Sequence, residues 1–257
     1  MTSTTLPVHD RQPKHLRGTE AARTVDTPEL RGVRLGLEAI ADVGGAITVD
    51  GRAGMGKTFA TDLIFHELGI DGYWVTMPHR PRGKETTARI HEAVTGQRVS
   101  MRMNTEYELF GDIIDALAGR HIILAIDEAQ HLPSGSLNQL RYLYDHSDTK
   151  LVLLLVGVDL TESLRRRCEP LMNRVEKRVH FRPYTKANMA RFLKDYHPLF
   201  SNSGEEAIRV IIEAASGNLR TAATLLKAAL SLSTAHRKGL TTDQARAAVR
   251  FVSGGAS

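Results

Sequence analysis

The sequence predicts an α/β fold, a mostly parallel five-stranded sheet with helices on both faces, followed by a small all-helical domain. Three observations carry this. Apolar strand-like runs alternate with helical patterns from residue 27 to about residue 182. A glycine-rich stretch, Gly51-Arg52-Ala53-Gly54-Met55-Gly56-Lys57-Thr58, stands where the first strand must turn into a helix. From Pro183 onward the patterns are helical only. A chain of 257 residues has room for one larger and one smaller domain. The composition shifts place a polar arm at 1–26, the core at 27–182 and the helical domain at 183–257.

Along the chain, residues 1–26 carry Pro7, Pro13 and scattered charges without a sustained apolar period, and read as a flexible arm. Arg11, Lys14, His15, Arg17 and Arg23 could touch nucleic acid or a partner, although a solvated tail is the plainer reading. Thr27-Pro28 gives a helix cap and a first-turn proline. Leu30, Val33, Leu37 and Ile40 then repeat at helical spacing until Gly44-Gly45. A strand at 46–49 and a helix at 58–68 flank the glycine-rich stretch, and 73–77 reads as a second strand. Residues 79–84 form a basic turn, followed by helices at 86–94 and 107–117, a third strand at 121–126 and a helix at 137–144. The wholly apolar run 151–156 is the fourth strand and 178–181 the fifth. Helices at 187–196, 205–215, 219–232 and 242–252 complete the chain. In a sheet of this kind ligands bind beyond the carboxyl ends of the strands.

Composition narrows the function classes. The 34 basic and 29 acidic residues leave a charge of +5, a mild excess that suits an anionic partner. One cysteine, Cys168, excludes an internal disulfide framework and makes a reducing cytoplasm the simplest compartment. The eleven histidines show no metal-ligand spacing. The longest apolar run is too short to span a bilayer and the N-terminus lacks an apolar signal core, so neither a membrane nor export is expected.

The stretch from Gly51 to Thr58 has the residue types of a phosphate-binding loop. Glycines let successive backbone N–H groups turn inward on a phosphate chain, and the helix that follows adds its positive end. Lys57 would reach the β- and γ-phosphates and the Thr58 hydroxyl would ligate Mg²⁺, with Gly51 and Gly56 the least replaceable backbone positions. The bland alternative is an ordinary glycine-rich turn. Downstream, the apolar strand 122–126 ends in Asp127-Glu128. A strand buried on both faces is uniformly apolar, so acids at its exit are either used or solvated. Used, Asp127 would hold Mg²⁺ through water and Glu128 would orient the water that attacks the γ-phosphate. The loop upstream favours that reading over a solvated acidic turn.

The loop, the run Asp127-Glu128-Ala129-Gln130-His131 and the run Ser216-Gly217-Asn218-Leu219-Arg220 together resemble the AAA+ ATPases, over about residues 28–250. The resemblance implies ATP and Mg²⁺ as ligands. It also implies a helical lid whose Arg220 reaches back to the nucleotide as second sensor, and an arginine finger given to a neighbouring subunit. Arg174, in Pro170-Leu171-Met172-Asn173-Arg174-Val175, matches the finger, with Arg165, Arg166 and Arg167 as nearby competitors. After the fourth strand, where the family places a polar first sensor, this chain reads Val156-Gly157-Val158-Asp159-Leu160, with Asp159 the nearest polar residue. That departure implies slow hydrolysis.

Within that family the motifs are similar to the ATP-binding proteins of bacterial transposition, the phage Mu B, TniB and TnsC group. The resemblance implies a homo-oligomer, ring or helical filament, that assembles with ATP on double-stranded DNA, selects target DNA and activates a partner transposase, which in turn stimulates hydrolysis. The basic turn offers Arg80, Arg82 and Lys84, with Arg89 and Arg98 nearby, as contacts to DNA phosphates; a solvated loop is the alternative. Rival readings are a helicase-loading or replication-initiation ATPase of the Orc/Cdc6 type and a secretion ATPase of the ExeA kind. An added winged-helix domain would be expected for origin recognition and membrane or wall-binding segments for secretion, and the sequence shows neither; a helicase loader stays open. A small-molecule kinase fits least, because an arginine in a separate helical lid suits an assembly ATPase.

Overall fold

Five parallel strands carry the architecture in the computed structural model, which describes residues 15–19, 21–41, 43–69, 71–232 and 239–254. They are β1 (Gly45–Gly51), β2 (Gly72–Thr76), β3 (His121–Asp127), β4 (Lys150–Gly157) and β5 (Val175–Phe181), in the order β2-β3-β4-β1-β5. Every pairing is parallel, so all five carboxyl ends share one edge of the sheet. β1 is buried along its whole length and β4 along all but its first residue, which is why their sequences are almost wholly apolar.

The chain divides into two compact units, the first comprising residues 28–51 and 60–181. α1 (Pro28–Ile40) precedes β1, and between the strands run most of α2 (Lys57–Glu67), α3 (Gly83–Thr95), α4 (Glu106–Leu117), α5 (Ser134–Asp145), α6 (Leu160–Arg167) and the single turn α7 (Glu169–Met172). Ile122, Leu124 and Ile126 of β3 and Leu151, Leu153 and Leu155 of β4 pack on one face against Ile90, Val94, Ile113 and Leu117 of α3 and α4. Ile47 of β1 points to the opposite face, against α1. There Gly36 allows close approach, since an added Cβ would come within 2.5 Å of Ile47 Cδ1. α4 starts at a capping box in which Thr105 accepts from the Glu108 N–H while Glu108 accepts from the Thr105 N–H.

The second unit comprises the described residues of 15–27, the loop 52–59 and the segment from Arg182. Its helices are α8 (Lys186–Tyr196), α9 (Pro198–Ser201), α10 (Glu205–Ala215), α11 (Leu219–Leu232) and α12 (Thr242–Ser253). Met189, Leu193, Phe200, Ile211, Leu225 and Leu226 form its core. Part of the stretch expected as the polar arm is packed here. Thr19 is buried, Ala22 and Val25 lie against the helical core, and the Arg23 N–H donates to the Tyr196 carbonyl at 2.7 Å. Two small apolar side chains make no readable period, which is why this packing is invisible in the sequence. Arg11 and Lys14 lie outside the described residues. No helix among the described residues is long and apolar enough to cross a membrane.

Candidate functional site

β1 ends on a buried carboxylate. Asp50 accepts from the Gly51 N–H at 2.7 Å and from the Thr161 N–H of α6 at 3.3 Å, tying the strand's end to the helix after β4. Gly51 has φ 146°, and a Cβ there would run into the Phe181 carbonyl of β5 and lie 2.9 Å from Phe181 Cβ. The chain then turns through Arg52, Ala53, Gly54, Met55 and Gly56, with Gly54 at φ 81° and Gly56 at φ 90°. Arg52, Ala53 and Thr58 are exposed while Met55 is buried. Lys57 opens α2, is mostly buried, and donates from Nζ to the Arg52 carbonyl at 2.9 Å. This backbone, with a helix N-terminus and a lysine, fits a phosphate chain.

Within the second unit the Gly-Asn turn ahead of α11 holds that loop. Asn218 Nδ2 donates to the Ala53 carbonyl at 3.0 Å, and the Arg220 N–H donates to the Gly54 carbonyl at 2.9 Å. Asn218 Oδ1 accepts from the Thr221 N–H at 3.1 Å, so the same side chain caps α11. A Cβ on Gly54 would lie 2.6 Å from Asn218 Nδ2. The Arg220 side chain stands exposed in the first turn of α11.

β3 ends at Asp127, whose buried carboxylate accepts from the Glu128 N–H at 2.9 Å. Since β4 alone separates β3 from β1, Asp127 and the end of β1 lie on the same sheet edge, about 10 Å apart across the strands. Glu128 has left-handed backbone angles, φ 57° and ψ 36°, with its side chain half exposed. Gln130 Nε2 donates to Glu128 Oε2, while Gln130 Oε1 accepts from the Val158 N–H at 3.1 Å. Arg167 Nη1 donates to the Gln130 carbonyl at 3.1 Å. His131 Nε2 is 3.9 Å from Glu128 Oε2, with the His79 ring edge-on to it at 4.8 Å. Arg167, a competitor for the finger by sequence, is engaged with the acidic turn instead, and the sequence assigns no role to Gln130, whose signal is an amide two residues beyond the acid.

The arginines before β5 have separate fates. Arg174 makes a two-pronged bond to Asp145 at the end of α5, Nη2 to Oδ2 at 2.6 Å, and donates from Nη1 to the Pro170 carbonyl at 2.6 Å. The Asp145 carboxylate holds its guanidinium above the ordinary arginine range. Arg166 pairs with Glu162 one turn earlier, Arg167 serves the acidic turn, and Arg165 is exposed. Asp159 is exposed in a left-handed conformation ahead of α6. Of the basic turn, Arg80 and Arg82 are exposed, and Lys84 lies in the first turn of α3 with Nζ donating to the Met101 carbonyl at 2.6 Å.

No curated protein sequence matches the chain. A family model described as "AAA domain" matches residues 41–167. Among solved structures the chain is similar to the Aeropyrum pernix ORC1 protein in complex with DNA, at 20% identity and TM-score 0.67 over 87% of this chain and 64% of that one. The A. pernix ORC2 protein, solved as ADPNP-ADP complexes, is 17% identical with TM-score 0.66 over 97% and 72%. Cdc6p from Pyrobaculum aerophilum is 17% identical with TM-score 0.73 over 89% and 67%. The chain thus spans about two thirds of the length of these proteins. The match to the AAA domain model covers residues 41–167, and the likeness to these structures extends to their α/β fold with a five-stranded parallel sheet.

Proposed function

We propose that the chain is a cytoplasmic ATP-hydrolysing assembly ATPase that oligomerises on double-stranded DNA, selects target DNA and activates a partner transposase. The observation that carries the ATP switch is the grip of the Gly-Asn turn on the loop, Asn218 on Ala53 and Arg220 N–H on Gly54. Through it, whatever occupies the loop biases the helices that bear Arg220. The backbone from Gly51 to Gly56 cradles the phosphates and Lys57 neutralises the β- and γ-phosphates. Thr58 and Asp127 would hold Mg²⁺, which would supply charge neutralisation to the phosphates. Glu128 orients and deprotonates the attacking water. Arg220 binds phosphate in its own subunit. Arg174 exchanges Asp145 for the γ-phosphate of a neighbouring subunit, which makes the contact between subunits depend on ATP.

DNA contact is assigned to Arg80, Arg82 and Lys84, which bind phosphates without reading bases. The exposure of Arg80 and Arg82, and the fold likeness to an ORC1 protein solved with DNA, support that assignment. Electron microscopy of the protein with duplex DNA and a slowly hydrolysed ATP analogue tests the reading. Filaments or rings around DNA, absent with ADP and in Lys57→Ala, are expected. A second reading, a replication-initiation or helicase-loading ATPase, is favoured by the likeness to ORC and Cdc6 proteins. DNA-independent rings that bind a replicative helicase but no transposase would replace the first reading with that one.

A further inference from the structure

The Gln130 side chain has a fixed orientation. Its Oε1 accepts from the Val158 N–H, an interaction only the carbonyl end of the amide can make, so its NH₂ end must face Glu128, and Nε2 donates to Glu128 Oε2. Three further features hold this amide in place. Arg167 Nη1 grips the Gln130 carbonyl. The 3-10 turn Ala129–His131 fixes the backbone between the two residues. Gly157, the last residue of β4, leaves room for the amide, since a Cβ there would collide with Gln130 Oε1. Glu128 itself is half exposed and sits in a left-handed conformation that glutamate rarely adopts, so its carboxylate would sample many directions without a partner.

We propose that Gln130 is a positioning residue for hydrolysis. It clamps one oxygen of Glu128, leaves the other for the attacking water, and ties the carboxylate to the end of β4. The inference rests on the assignment of Glu128 as the water-orienting base. A general base misplaced by about an ångström loses on the order of a hundredfold in rate while substrate binding is untouched. Gln130 should therefore affect kcat and leave ATP affinity alone.

The experiment is steady-state ATP hydrolysis, with and without duplex DNA, beside direct binding of a fluorescent ATP analogue and thermal melting. Gln130→Ala is expected to lower kcat about tenfold or more, with analogue affinity within about twofold of wild type. Gln130→Glu keeps the acceptor for Val158 but sets a second carboxylate against Glu128, so it should lose at least as much turnover as Gln130→Ala. If Gln130 were only a structural tether, Gln130→Glu would restore wild-type kcat, and that result overturns the inference. Gly157→Ala pushes a methyl into the amide and should reproduce the loss of kcat. In the Gln130→Ala background the same change should add little, because the group it displaces is gone. A rise in kcat in Gln130→Ala, or full additivity of the two changes, also overturns it. A wild-type chain that binds the analogue yet turns over no ATP removes the hydrolytic reading and this inference with it. Normal turnover that is indifferent to Gln130 removes the inference alone.

Discussion

Two turns leave the carboxyl edge of the sheet, one after β1 and one after β3, and different parts of the chain hold them. The loop from Gly51 to Thr58 takes its shape from backbone freedom: its three glycines have φ of 146°, 81° and 90°. Its anchors in the Gly-Asn turn are main-chain carbonyls, those of Ala53 and Gly54. The turn from Asp127 to His131 has no glycine and one left-handed glutamate, and a glutamine side chain links it to Val158. The loop should therefore be intolerant of an added Cβ and depend on few of the side chains around it, Asn218 first among them. The acidic turn should tolerate backbone-relieving changes and fail when a particular functional group is removed.

The severest test on the loop side is Gly51→Ala. The added methyl meets the Phe181 carbonyl and lies 2.9 Å from Phe181 Cβ, at a φ of 146° that alanine avoids. A loss of about 3 kcal/mol or more is expected, read as a fall in melting temperature. A drop under about 1 kcal/mol would show that β5 gives way and would break the comparison. On the other side, Glu128→Gly removes the carboxylate and relieves the left-handed angle. Hydrolysis should fall about a hundredfold or more, while stability holds or rises by up to about 1 kcal/mol. A marked loss of stability would mean that the Gln130 bond supports the fold as well as the carboxylate.

The same contrast explains what could be read in advance. All five strands and the longer helices were legible because apolar runs and helical spacing carry them; α10 and α11 fall at their expected limits, 205–215 and 219–232. α7 and α9, four residues each, are shorter than any period that could announce them. β5 begins at Val175, ahead of its expected start, because Glu176, Lys177 and Arg178 are exposed on the sheet's edge and look unlike a buried strand. The turn from Gly51 to Gly56 was legible because its backbone angles force glycine into fixed positions. The bond between Asn218 and Ala53 was not, since it joins residues 165 apart in sequence, and the bond from Gln130 to Val158 spans 28. Nor does anything local in the sequence reveal that Arg174 meets Asp145.

Asn218→Ala is the next effect in size. It removes the donor to Ala53 and the N-cap of α11 together, for which about 1–2 kcal/mol of stability is expected. If the Gly-Asn turn transmits nucleotide occupancy, analogue binding should weaken by a similar factor. Unchanged binding with lowered stability would confine Asn218 to capping and leave the loop held by its own backbone.

The smallest effect expected concerns acidity on the loop side. His15 packs against Phe59, one residue beyond Thr58, with ring centroids 5.0 Å apart, and against Tyr196 at 5.7 Å. Burial among these rings lowers the His15 pKa, because the charged imidazole loses water it cannot replace there. The folded state therefore binds its proton less readily than the unfolded chain does. The stability this contact contributes is complete above the unfolded value of about 6.5 and is lost as pH falls from there through the folded pKa. Melting temperature should decline over that window in wild type, and the decline should flatten in His15→Phe, which keeps an aromatic ring against Phe59 without a titrating nitrogen. An identical pH profile in the variant would place the acid sensitivity elsewhere, and the packing beside the loop would then be indifferent to charge.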